Sequence, residues 1–88
     1  MINAVIIDLP LSGRSTVKAF REACWALDVE PEHVDVTSYD CRANGVNVVP
    51  TIRVYADDDP YGDVLAEHRG AATGEQITAL LERGQALV

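Results

Sequence analysis

Basic residues, paired cysteines and long apolar runs are what this sequence lacks. Seven lysines and arginines face fourteen acids, a formal net charge of −7. That balance repels a phosphate backbone and leaves little counterion release to drive binding to one. Direct DNA or RNA binding is therefore not expected. The only cysteines are Cys24 and Cys41, seventeen residues apart, a spacing of neither a CxxC redox pair nor a zinc-ligand set. A fold stapled by disulfide or metal is not expected either. No stretch approaches the ~20 apolar residues of a membrane-spanning helix, which points to a soluble protein that does not enter a membrane. The apolar start at Met1 to Ile7 is short and has neither the basic leader nor the small-residue cleavage site of a secretion signal, so the expected location is cytoplasmic. Repeats, linkers and low-complexity segments are missing as well. The 88 residues have room for one domain, 1–88, with 48% apolar and 24% charged content. Such a short chain buries a modest fraction of its surface, so marginal stability is expected.

The apolar residues that are present alternate between two periods. Ile2 to Ile7 is short and mostly β-branched, which predicts a strand buried on both faces. After Ser12-Gly13-Arg14-Ser15, the residues Val17, Phe20, Cys24 and Leu27 recur every three or four positions, with Lys18, Arg21, Glu22 and Asp28 between them. This predicts an amphipathic helix with Ser12 as its N-cap. Val29-Glu30-Pro31-Glu32 breaks the helix, and the alternation of Val34 and Val36 predicts a second strand over His33 to Thr37. Strand, helix and strand in succession imply a parallel, right-handed crossover. Ser38 to Gly45 predicts a short second helix with a thin apolar face, ended by Asn44-Gly45. Thr51 to Ala56 reads as a third strand. The turn formers from Asp57 to Gly62 then reverse the chain into a fourth strand at Asp63 to His68. Thr73-Gly74-Glu75-Gln76 is a capping box, and Ile77, Leu80, Leu81 and Leu87 form the apolar stripe of a last helix.

In this order, three local features resemble the active-site region of the thioredoxin and glutaredoxin superfamily, and the resemblance spans nearly the whole chain. Ser12-Gly13-Arg14-Ser15 stands between the first strand and first helix, where that family carries CxxC, with Pro10 before it as in many glutaredoxins. Val48-Val49-Pro50-Thr51-Ile52 resembles the family's Val-Pro-Thr segment, whose proline is cis. Gly70-Ala71 resembles the glycine that lets the end of the fourth strand pass close to the active-site loops. The resemblance implies a thioredoxin-like α/β fold, β-α-β-α-β-β-α, with a four-stranded mixed sheet flanked by helices.

The departure from the family lies in the chemistry. A thiolate at the helix N-terminus opens a substrate disulfide, and a second thiol resolves the mixed disulfide. Serine forms no mixed disulfide and has no accessible anion near neutral pH, so Ser12 and Ser15 remove both half-reactions. Serine needs a base to act as a nucleophile. His33 is expected to begin the second strand, at the end of the sheet opposite the active-site loops. His68 is expected on the fourth strand, separated from the first helix by intervening strands, and both read as surface or strand-edge histidines. Cys24 lies about 13 Å along the helix from Ser15, at ~1.5 Å per residue, and reads as a small core residue. Cys41 would pack on the other sheet face, out of disulfide reach of Cys24. Asp8 falls too close to Ser12 to match the family's buried acid and reads as a strand-end or capping residue.

Glutathione is disfavoured as a ligand. Leu9 replaces the basic residue that glutaredoxins often place before the first cysteine, and Thr73-Gly74 occupies the region of their aspartate. No cofactor or metal is expected, and Asp57 to Asp59 reads as a solvated turn. What remains is a groove formed by Ser12, Gly13, Arg14 and Ser15 with Val49, Pro50, Thr51 and Gly70, a surface by which the family recognises extended peptides. The reading is a redox-inactive binding or adaptor module for a protein partner, with Arg14 as a charged anchor. Trp25 lies off the helix stripe and is expected to be partly buried against the last helix, with a second anchor as the alternative. Two competing readings stay open: an oxidoreductase whose cysteines were changed to serine, and a structural subunit of an assembly.

Overall fold

The computed structural model describes residues 2–9, 15–37, 43, 45–56 and 62–88. The chain folds in the order β1 (Asn3–Asp8), α1 (Ser15–Ala26), β2 (Pro31–Asp35), β3 (Thr51–Tyr55), β4 (Val64–Arg69) and α2 (Gly74–Ala86). The short helix expected at Ser38 to Gly45 and the turn at Asp57 to Asp59 fall largely outside the described residues.

One four-stranded sheet has the order β2-β1-β3-β4. β1 pairs with β2 in parallel and with β3 antiparallel, and β3 pairs with β4 antiparallel. β1 is buried along its whole length, as its unbroken apolar run requires for an interior strand covered on both faces. Alternate residues divide the core in two. Ala4, Ile6, Ile52, Val54 and Ala66 pack with Val17, Phe20 and Cys24 of α1 and Ile77 and Leu81 of α2. Val5, Ile7 and Tyr55 pack with Val46, Val34 and Val36 on the other face. Period two in the strands and period 3.6 in the helices thus meet in one layer.

Several expectations need correction. β2 begins at Pro31 rather than His33, because parallel pairing with β1 starts at the Ala4–Pro31 register, and a proline at a strand's first residue removes no ladder bond from the interior. His33 consequently sits in mid-strand opposite Ile6, not at the far end of the sheet. In α2 the capping box forms as the sequence predicts: Gln76 N donates to Thr73 Oγ1 at 3.2 Å, and Thr73 N donates to Gln76 Oε1 at 2.9 Å. Leu87, however, is the C-cap and lies exposed, and Gly84 takes the buried place in the helix's last turn. Trp25 is not buried against α2 but 65% exposed, because it projects from the side of α1 opposite the stripe.

Candidate functional site

The C-terminal end of β1, the start of α1, the start of β3 and the end of β4 meet at one end of the molecule. The parallel-antiparallel register dictates this: Ile7 lies opposite Thr51, and Thr51 opposite Arg69. The Val49–Pro50 peptide bond that leads into β3 is cis. Two hydrogen bonds tie the surrounding segments together. Gly70 N donates to Pro50 O at 2.8 Å, and Ala72 N donates to Thr16 Oγ1 at 3.4 Å. The first turn of α1, the proline segment and the β4–α2 connection therefore form one surface.

Of the residues singled out in the sequence, Ser12, Gly13 and Arg14 lie outside the described residues, as does Cys41. Ser15 opens α1 and is exposed, whereas its neighbour Thr16 is buried. Val49 is half-buried, Pro50 and Thr51 are buried, and Val48 is exposed beside them. Thr51 Oγ1 donates to Val48 O, which closes the segment on itself. Gly70 has φ +89, and a Cβ there would meet nothing within 4 Å. The left-handed backbone favours glycine at this position, where the strand end also approaches the proline segment closely enough for Gly70 N to bond Pro50 O.

Neither histidine nor Cys24 supplies chemistry to this surface. The His68 ring Nε2 donates to Ala71 O at 3.1 Å. His33 Nε2 is buried and, among the described residues, has no hydrogen-bond partner, in the middle of β2. Cys24 is fully buried and free, and burial pushes its thiol up to about 12, so it is no thiolate at neutral pH. Asp8 ends β1 fully buried and accepts a hydrogen bond from Leu9 N at 2.8 Å, which makes it the strand-end residue the sequence suggests.

A charged network behind the proline segment was missed by sequence reasoning. Glu67 accepts from Arg53 Nε through one carboxylate oxygen and from Arg69 Nε, at 2.7 Å, through the other. Arg53 also donates to the Tyr55 hydroxyl at 3.5 Å. Arg69 reaches Asn47 Oδ1 and Gly45 O at 3.5 and 3.4 Å, and so leashes the chain entering Val48–Pro50 to the sheet. Burial works to raise the Glu67 carboxyl, but the bonds from Arg69 and Arg53 outweigh it and hold it below the usual carboxylate range. Burial likewise opposes the Arg53 charge, and its bonds to Tyr55 and Glu67 outweigh that and hold it above its ordinary value. The available signal was Arg53, a charge inside the apolar strand TIRVY; a buried arginine needs a carboxylate, and the hairpin register places Glu67 opposite.

No protein-family model and no curated protein sequence matches the chain. The sheet order, the two described helices on one face and the cis proline before β3 belong to a thioredoxin-like α/β fold. Among the solved structures it is similar to is thioredoxin 1 from the thermophilic eubacterium Thermosipho africanus TCF52B. The TM-score is 0.69 over 97% of this chain and 96% of that one, at 12% identity. Similarity at that identity establishes the fold, and function has to be argued from the residues.

Proposed function

We propose that this thioredoxin-like domain is a redox-silent protein-binding module, which holds an extended segment of a partner protein against Val48, Val49 and cis Pro50. The observation that carries the reading is an exposed Val48 and half-buried Val49 beside the first turn of α1, in a segment held by bonds from Thr51 Oγ1 to Val48 O and from Gly70 N to Pro50 O, in a chain with serine at positions 12 and 15. An extended segment laid there gains backbone hydrogen bonds, with Val48 offering apolar contact and Arg14 a charge. The leash from Arg69 and the bond from Gly70 lower the cost of ordering the surface on binding. Thiol chemistry is absent from this reading because neither serine forms the mixed disulfide that exchange requires.

Two measurements test it. Insulin-disulfide reduction by the unmodified chain is expected at background, and turnover above background overturns the reading. A display library of extended peptides is expected to yield binders whose affinity falls at least tenfold when Val49 is replaced by Asp. Failure to select any peptide, or selected peptides indifferent to V49D, also overturns it. Cysteine codons at positions 12 and 15 of the native gene would favour the oxidoreductase instead.

A further inference from the structure

At the opposite end of the sheet, where Ala4 pairs with Pro31, α1 finishes in a Schellman turn. Val29 N donates to Cys24 O at 2.8 Å and Asp28 N to Trp25 O at 3.3 Å, and Val29 folds back into the core with Cys24. The left-handed position of such a turn ordinarily takes glycine, yet here it is Asp28, at φ +57. Beside it stands Trp25, the most exposed large apolar side chain among the described residues at 65%. Trp25, Asp28, Val29, Glu30 and Pro31 line one open cleft of about 550 Å³. Asp28 and Glu30 are exposed, and among the described residues neither carboxylate is in an ion pair.

We propose that this cleft docks an arginine side chain from a basic segment of a partner protein, its guanidinium stacked on the Trp25 indole and its N–H edges meeting Asp28 and Glu30. Indole is the strongest aromatic partner for a cation. A planar guanidinium stacks and donates in its own plane at once, which a lysine ammonium does not. Exposed tryptophans are also the side chains that most often anchor interfaces. The net charge of −7 draws a cationic partner and repels an acidic one. The site is independent of the Pro50 surface, from which the length of the sheet separates it.

Trp25 is the chain's single tryptophan, so its fluorescence reports the docking directly. Titration of the intact protein with a hexa-arginine peptide at low salt is expected to give a saturable change in emission, with affinity falling as salt rises. Hexaglutamate is expected to give none. D28N and E30Q should each weaken binding at least threefold, and together at least tenfold. Asparagine and glycine both suit φ +57, so loss of binding in D28N or D28G is not loss of fold. Calorimetry on W25A should show no hexa-arginine binding. The proposal is overturned by a flat titration, by D28N/E30Q binding as tightly as the parent, or by hexalysine binding as tightly as hexa-arginine.

Discussion

Cys24 and Trp25 are neighbours in sequence with opposite surroundings, and the helix period alone separates them. Cys24 points into the core with Phe20 and Val17, and Trp25 points to solvent. The consequence for Cys24 is chemical. Its thiol pKa rises from 9.0 to about 12 because burial penalises the charged form. The neutral thiol is the form the fold accepts, so its contribution is complete below the ordinary thiol range and is lost as pH rises from about 9 toward about 12. The loss is about 1.4 kcal/mol per pH unit across that window. In a Cys41→Ser chain, Cys24 should be inert to an aromatic disulfide reagent at neutral pH and react fully in denaturant. Rapid reaction of the native chain would contradict its burial. The capping box at Thr73 and the stripe of α1 were legible at this scale, because both depend only on residues within a turn of one another. The exposure of Trp25 was not, since a period names a helix face but not what covers it.

Between elements, two contacts carry tests. α2 lies close on β3 through Gly84, where an added Cβ would stand 3.1 Å from the Val54 Cβ and nearer still to Val54 Cγ1. Alanine would gain up to ~1 kcal/mol of helix propensity but push against a buried strand, which costs ~1–3 kcal/mol. G84A should therefore destabilise the protein by about 1 kcal/mol in denaturant unfolding. In the V54A background the same change should be neutral or stabilising. The second contact joins β3, β4 and the segment before Pro50 through Glu67. Replacing Glu67 by Ala removes the carboxylate opposite the buried Arg53 and should cost about 2 kcal/mol, less than a fully buried pair because Glu67 keeps some solvent contact. The carboxyl is depressed, so this contribution is present above the ordinary carboxylate value of 4.5 and fades as pH falls below it. Parent and E67A should therefore converge in stability toward acid, and a constant gap would argue against the network. The hairpin was readable from its turn formers, but the Arg53–Glu67 pairing was not, because cross-strand partners follow from register, which a one-residue slip would reverse.

For the molecule as a whole, the background insulin-reduction rate expected of the unmodified chain follows from composition at two positions, Ser12 and Ser15, and no packing arrangement restores sulfur there. No described helix is long and apolar enough to cross a membrane, and no described cluster of His, Cys, Asp or Glu suits a metal ion. The sequence alone determined the succession of the described strands and helices, because apolar period, caps and turn formers act over a few residues. It also determined that serine stands at positions 12 and 15, because that is a matter of which atoms are present. Only the tertiary structure decided that Thr16 and Ala72 join the surface of Pro50 and Gly70, that His33 sits in mid-strand, and that Trp25 stands open beside Asp28 and Glu30. These are relations between segments brought together by sheet register and helix placement, and a linear chain does not carry them until it has folded.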